Sequence, residues 1–92
     1  MSAPPGFLES DDVVRAHLHS SAHHAEVRAS ERCGCFYCLA AFAPDEIDRW
    51  ITEADGRRTA LCPACGIDSV LGSASGFPVT PEFLGRMNAC WF

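Results

Sequence analysis

The first third of the chain carries apolar residues at helical spacing. Five of them recur at intervals of four or three positions: Val14, Leu18, Ala22, Ala25 and Ala29. This is the period of one face of an α-helix. Ser10 is a suitable N-cap, so the pattern predicts a helix over residues 11–29, with Ser20 and Ser21 as the point where it would break and a second piece would begin. Residues 1–9 are expected to form a flexible lead-in, and residues 10–92 a single domain.

Shorter elements follow in the middle of the chain. Pro44, with two carboxylates after it, predicts a short helix whose buried side is formed by Ile47, Trp50 and Ile51. A strand is expected over residues 57–61, and a short turn or helix through residues 67–71.

A last helix is predicted from Thr80, which serves as N-cap, with Pro81 at the first helical position. Four of its residues are expected to be buried: Phe83, Leu84, Met87 and Trp91. Cys90, on the same helix, is expected to be a core residue.

The composition predicts a thin hydrophobic core. The hydrophobic share is 48%, but only 20 of the 92 residues are Leu, Ile, Val or Phe. A domain of this length buries only about 60–65% of the surface that its unfolded chain exposes, and this burial nearly cancels against conformational entropy. We therefore expect disulfides, a metal or an oligomeric partner to add stability, and the six cysteines favour the first two.

Length and charge exclude several classes of function. A (β/α)8 barrel, or a doubly wound nucleotide-binding domain with its own substrate domain, does not fit in 92 residues. The chain has no lysine, which excludes a P-loop and Schiff-base catalysis. Seven arginines against twelve acidic residues give a net charge of −5, which disfavours strong binding to a phosphate backbone.

The N-terminal residues indicate a cellular compartment. They lack the basic and apolar regions of a signal peptide, and no stretch of 18 consecutive apolar residues occurs. We therefore expect a cytoplasmic protein without a membrane partner. Thiols in the cytosol are kept reduced, so clustered cysteines there indicate metal binding or catalysis rather than disulfides.

Two cysteine pairs are the strongest motif. Cys35-x-x-Cys38 and Cys62-x-x-Cys65 are separated by 23 residues, close to the spacing of structural zinc sites. Two thiolates three positions apart in a tight turn can both reach one ion at about 2.3 Å. The four cysteines are therefore the predicted metal ligands, with Zn²⁺ expected and iron as an alternative at the same thiolates. Gly66 would let the backbone leave the second turn with positive φ.

Cys33 leaves an ambiguity in this ligand set. It could replace Cys35 as a ligand or lie beside the site. It could also be a reactive thiol whose pKa is lowered by the metal and by Arg32.

Two polar groups offer further candidate sites. Four histidines lie within eight residues: His17, His19, His23 and His24. His19 and His23 have the spacing of a helical metal-chelating pair. The expected interpretation of all four is a solvated helix face. Asp68 and Ser69 follow the second cysteine pair. They are typical turn and cap residues, with a binding pocket as the alternative.

Three stretches carry a resemblance to a known family. They are Cys33-Gly-Cys-Phe-Tyr-Cys38, Thr59-Ala-Leu-Cys-Pro-Ala-Cys-Gly-Ile-Asp-Ser-Val70 and the final Trp91-Phe92. Over residues 22–92 the chain resembles a family of small uncharacterised bacterial cytoplasmic proteins. The resemblance implies a cytosolic metal-binding protein and no established activity.

The expected fold is α+β, a small zinc-ribbon or treble-clef-like metal module with flanking N- and C-terminal helices. Two knuckles joined by a hairpin would bind one zinc ion. The helices would pack around four aromatic residues: Phe42, Trp50, Phe83 and Trp91.

Three functions are compatible with this module. The leading expectation is a small cytosolic structural-zinc protein that binds another protein and has no catalysis of its own. The second is a nucleic-acid-binding zinc ribbon, which would require four arginines to cluster: Arg28, Arg32, Arg57 and Arg58. The third is a thiol-based redox sensor or small enzyme that uses Cys33 or the Asp68–Ser69 loop, although a closed site of four thiolates leaves no open position for zinc-dependent hydrolysis.

Overall fold

The computed structural model describes residues 12–92. Three α-helices are α1 (residues 12–17), α2 (His24–Arg28) and α3 (Pro81–Trp91). Five strands are β1 (Cys33–Cys35), β2 (Ala41–Phe42), β3 (Trp50–Thr52), β4 (Arg58–Ala60) and β5 (Val70–Gly72), and 3₁₀ turns cover Pro44–Glu46 and Ser73–Ser75. The predicted lead-in and the predicted N-cap Ser10 lie outside the described residues.

The strands form two small antiparallel sheets. One has the order β2-β1-β5, and the other is the β3-β4 hairpin. In the first sheet Cys33 pairs with Phe42 on one side and with Gly72 on the other, and Cys35 pairs with Val70. This arrangement of few helices and antiparallel strands is α+β, as the sequence predicts.

The three-stranded sheet separates two small cores, because successive residues of a strand point to opposite faces. On one face Cys33 and Cys35 pack with residues of α2 and β4, including Val27 and Ala60. On the other face the cluster contains six residues from α1, β5 and α3: Val13, Ala16, Leu71, Phe83, Leu84 and Met87. The thin core predicted from composition is therefore divided in two.

Gly34 brings β1 close to the C-terminal helix. A Cβ atom at this position would lie 2.6 Å from Leu84 Cδ1 and 2.8 Å from Val79 Cγ1. Such distances are shorter than van der Waals contact, so a larger residue would displace the buried Leu84 side chain where α3 packs on the sheet.

The N-terminal helix is broken as predicted, but its buried face is not the predicted one. Residues 18–23 separate α1 from α2, and Ala22 has a positive φ of 50° in this break. Val14 is 46% exposed and Leu18 75% exposed. The buried side chains are instead Val13, Ala16, Ser20, His23, Val27 and Ser30.

This buried set has helical spacing, but half of it is polar. Hydrogen bonds make the burial tolerable. Ser20 Oγ donates to the His17 carbonyl at 2.6 Å, and Ser30 Oγ donates to the Glu26 carbonyl at 2.8 Å. The apolar spacing therefore does not identify the buried face of this segment.

His23 fills the break between α1 and α2 and is 4% exposed. Its Nδ1 lies 2.6 Å from the His19 carbonyl, and its Nε2 accepts the Ala60 N–H at 3.0 Å. Its backbone N–H donates to the Arg58 carbonyl at 3.0 Å. Because a carbonyl only accepts, the proton of the neutral ring is on Nδ1. The expectation of a solvated histidine face is wrong for His23, which attaches the helix break to β4.

The predicted short helix after Pro44 is wrong, and the predicted turn or helix over residues 67–71 ends in a strand. After Pro44 there is only a 3₁₀ turn, and Trp50 and Ile51 belong to β3, where Trp50 pairs with Ala60. The segment near the end of residues 67–71 is strand β5. In both places pairing with a neighbouring strand overrides the local helical preference, whereas the predicted strand before the second cysteine pair is confirmed as β4.

The C-terminal helix begins as predicted, since the Thr80 side chain accepts the Phe83 N–H at 3.2 Å. Phe83, Leu84 and Met87 are buried. Trp91 is 38% exposed and Cys90 is exposed, so their predicted burial is wrong. Burial on this helix ends at Met87, and the last turn extends beyond the core.

Among the described residues, no helix has both the length and the apolar character needed to cross a membrane.

Candidate metal centre

The structure brings together the four cysteines predicted as ligands. The Sγ atoms of Cys35, Cys38, Cys62 and Cys65 all lie within 4.8 Å of one another. Cys35 Sγ is 3.7 Å from Cys65 Sγ, and Cys38 Sγ is 3.7 Å from Cys62 Sγ. Each close contact joins one sulfur from each pair, so the two pairs interlock rather than lie side by side.

The first knuckle, residues 35–38, is the turn between β1 and β2. The Cys35 N–H donates to the Ala40 carbonyl, and the Leu39 N–H donates back to the Cys35 carbonyl, both at 2.9 Å. The Tyr37 N–H points at Cys35 Sγ at 3.3 Å, and the Cys38 N–H at 3.4 Å.

The second knuckle, residues 62–65, follows β4 and repeats this pattern. The Cys62 N–H donates to the Ile67 carbonyl at 2.9 Å, the Gly66 N–H to the Cys62 carbonyl at 2.8 Å, and the Ala64 N–H points at Cys62 Sγ at 3.3 Å. The offsets along the chain are the same in both knuckles. Two separate segments thus adopt one backbone turn whose amides stabilise negative charge on sulfur.

The position after each pair must adopt a left-handed backbone. Gly66 has φ 80° in the second knuckle, as its sequence position predicts, and Leu39 has φ 66° in the first. A residue with a Cβ pays about 1 kcal/mol or more in this region. Leu39 is also 43% exposed, so little burial of its side chain compensates for the strain.

We expect Leu39→Gly to raise the free energy of unfolding by up to about 1 kcal/mol, because glycine relieves the left-handed strain at some cost in chain entropy. Gly66→Ala is the matched reverse substitution, and it should destabilise by about 1 kcal/mol or more. Denaturant unfolding of the metal-loaded variants measures both. A loss of stability in Leu39→Gly larger than in Gly66→Ala would contradict this account of the two turns.

Ser69 supports the first knuckle. It is 1% exposed, and its hydroxyl lies 2.9 Å from Cys35 Sγ. Burial raises the pKa of the Cys35 thiol, but the hydrogen bonds from Ser69 and from the amides of Cys38 and Tyr37 outweigh it and hold the pKa below its usual value. The Cys35 thiol therefore loses its proton more readily than an ordinary cysteine thiol.

The opposite shift occurs elsewhere in the cluster. Burial, together with hydrogen bonds from neighbouring cysteines, raises the pKa of Cys65 to about 12 and also raises the pKa of Cys38. Four thiolates this close repel one another unless a cation lies between them, so metal binding and loss of the thiol protons are coupled.

The sulfur geometry fits a tetrahedral metal ion. With metal–sulfur bonds of about 2.3 Å, a regular tetrahedron has sulfur–sulfur edges of about 3.8 Å. The Cys35–Cys65 and Cys38–Cys62 sulfur contacts, both 3.7 Å, match this edge. The four sulfurs, supplied by two x2 loops, could therefore hold one metal ion.

Cys33 lies outside this cluster. It is fully buried in the core, two residues before Cys35 on the same face of β1, which is about 6.6 Å along a strand. Burial raises the pKa of the Cys33 thiol to about 11. Cys33 therefore does not join the four clustered sulfurs, and its burial and raised pKa disfavour the alternative of a reactive thiol.

The histidines form no metal-chelating pair. Both ring nitrogens of His23 are occupied by backbone groups, while His19 Nδ1 bonds Glu26 Oε1 at 2.8 Å. His17 stacks on Trp91 with ring centroids 4.0 Å apart, and His24 packs on Trp50 at 4.6 Å.

The four arginines named for nucleic-acid binding do not share one environment. Arg58 donates to His24 Nε2 at 2.7 Å, and Arg28 also acts electrostatically on His24. Arg57 instead forms an ion pair with Asp55 at 2.7 Å. Arg32 borders a different surface cavity, beside Glu31 and Glu46.

Comparisons with protein-family models, curated proteins and solved structures find no match to this chain. The resemblance to a bacterial family therefore stays an expectation, and the function proposed below rests on the geometry of the site.

Proposed function

We propose that this chain is a small cytoplasmic zinc protein in which the metal has a structural role and an exposed apolar patch binds another protein. The observation that carries the first half is the pair of matched knuckles, which bring four sulfurs within 4.8 Å of one another and direct amides at the sulfurs of Cys35 and Cys62. Zinc is proposed over iron because it takes this closed four-thiolate geometry without redox chemistry.

The order of elements favours a zinc-ribbon arrangement over a treble clef. The first knuckle is the turn of the β1-β2 hairpin, and the second follows the β3-β4 hairpin and leads into β5. A treble clef would place a helix directly after its second pair of ligands, and here a strand follows.

Metal content tests this half of the proposal. A chain purified without added metal should contain about one zinc per molecule by elemental analysis and show no visible absorption. One iron per molecule with a thiolate charge-transfer band would instead indicate a rubredoxin-like centre. A folded chain without metal would contradict a structural metal altogether.

The second half rests on four exposed side chains, which we call the knuckle patch: Tyr37, Leu39, Trp91 and Phe92. Their exposed fractions are 47%, 43%, 38% and 60%. The rings of Tyr37 and Phe92 meet edge to face at 4.8 Å, and Asn88 Nδ2 donates to the Tyr37 carbonyl at 3.0 Å, so knuckle and helix end form one surface. Aromatic side chains are enriched at the centres of protein interfaces.

A crosslinking experiment tests the patch. A photoreactive residue at Tyr37 should capture one defined protein in the native host, and Phe92→Asp should reduce that capture at least tenfold, since a charge at an interface centre costs more than 1.4 kcal/mol. The matched position is Ile51 on β3, which is 40% exposed and far along the chain from the patch. Capture of the same proteins from Tyr37 and Ile51 would contradict a specific surface.

The alternatives are less well supported. Binding to nucleic acid must overcome the net charge of −5, and Arg57 is already paired. A redox sensor or an enzyme would need Cys33, which is buried with a raised pKa, or Ser69, whose hydroxyl is occupied by Cys35.

A further inference from the structure

A cavity lies beside Asp68 and Ser69. It has a volume of about 290 Å³ and is lined by α1, the helix break, the first knuckle, the Asp68–Ser69 loop and the chain end. Its residues are His17, Ser20, Ser21, Phe36, Asp68, Ser69, Trp91 and Phe92. The sequence offered a pocket at Asp68 and Ser69 only as the alternative to turn formation.

Aromatic rings make up much of the wall. His17 packs on Trp91 with centroids 4.0 Å apart, and it lies 5.9 Å from Phe36. Phe92 is 5.8 Å from Phe36 and leaves 60% of its own surface exposed. Four aromatic side chains therefore border one small space, and a ring face, which carries the negative part of the ring quadrupole, attracts cations.

Asp68 and His17 are the ionisable side chains that line the cavity among the described residues. Asp68 is exposed, and among the described residues no hydrogen bond or ion pair engages its carboxylate. No arginine lines the cavity. The hydroxyl of Ser20 is engaged by the His17 carbonyl, and that of Ser69 by Cys35, so neither is free to act as a nucleophile.

We propose that this cavity binds the ammonium group of a small organic cation, with a methylated ammonium preferred. Methylated ammonium ions are weakly hydrated, so aromatic faces can replace their water, and Asp68 supplies the opposite charge. The volume suits a group of this size with a short substituent. A simple inorganic cation would keep its water, and an anion would meet Asp68 and the negative net charge.

The two tryptophans provide a direct test with the zinc-loaded chain. Trp91 lines the cavity, while Trp50 lies on β3 and packs on His24. In an isotope-labelled sample, titration with choline should move the indole N–H resonance of Trp91 saturably and leave that of Trp50 unchanged. The uncharged carbon isostere of choline, dimethylbutanol, should bind about threefold to thirtyfold more weakly, which is the range expected from cation–π attraction.

Variants separate charge from shape. Asp68→Asn should weaken choline binding about threefold to tenfold, and Asp48→Asn, an exposed carboxylate outside the cavity, should have no effect. Equal binding of dimethylbutanol, equal movement of both tryptophans, or no saturation at millimolar choline would overturn the proposal. Metal content is measured on the same samples, so a failure here is distinguishable from a failure of the structural zinc site.

Discussion

Cys62→Ser is expected to leave the chain without a cooperative fold. Cys62 is fully buried and its Sγ is 3.7 Å from that of Cys38, so its loss removes one of the four proposed ligands. Structural zinc in small modules contributes about 10–16 kcal/mol, whereas a core of this size supplies only about 3–5 kcal/mol. Circular dichroism of the purified variant should show no sigmoidal melt, and elemental analysis should show substoichiometric zinc.

The chain supplies two matched cysteine controls for this experiment. Cys90→Ser changes an exposed thiol on α3 and should leave both the melt and the zinc content unchanged. Cys33→Ser changes a buried thiol outside the cluster, so it should cost about 1–3 kcal/mol for a buried hydroxyl but retain one zinc. If Cys62→Ser melted like Cys90→Ser, the metal would not hold this fold together.

The cysteine cluster was predictable because its signal is local. Two x2 spacings and a glycine after the second pair specify a turn whose geometry depends on few other residues. The same reasoning could not detect the strain at Leu39, since leucine gives no sign that its backbone must be left-handed. It also placed Trp50 and Ile51 on a helix, because their pairing with β4 depends on residues that lie eight to ten positions away.

The residues of the two cores show that apolar spacing in the sequence does not always identify the buried face of a helix. Val14 and Leu18 are apolar and were expected on the buried face, yet they are exposed. Ser30 is buried instead, where its hydroxyl accepts the Ala74 N–H at 2.9 Å and fits above Gly72, at which a Cβ would lie within contact distance. Apolarity predicts burial only where the core does not supply a polar side chain with a hydrogen-bond partner.

His23→Ala should lower the free energy of unfolding by about 3 kcal/mol. The substitution leaves the N–H of the fully buried Ala60 without an acceptor and opens a cavity between the helix break and β4. His24→Ala is the adjacent control: His24 packs on Trp50 and bonds Arg58 near the surface, so its loss should cost less than about 1 kcal/mol. Denaturant unfolding in zinc-buffered solution measures both, and equal losses would show that the His23 contacts contribute nothing specific.

The same variant tests the protonation state of His23. Burial lowers the pKa of His23 below 6.5, with His19 and His24 acting in the same direction and the His19 carbonyl and Glu26 opposing them. The unfolded chain therefore binds more protons near its own pKa, so this contribution to stability is complete above about pH 6.5 and is lost as the pH falls towards the folded pKa. The stability gap between the parent and His23→Ala should narrow from about pH 7.5 to about pH 5.5. A gap that stays constant, or a zinc content that falls in His23→Ala at the higher pH, would mean that the ring does not act as the neutral acceptor that joins α2 to β4.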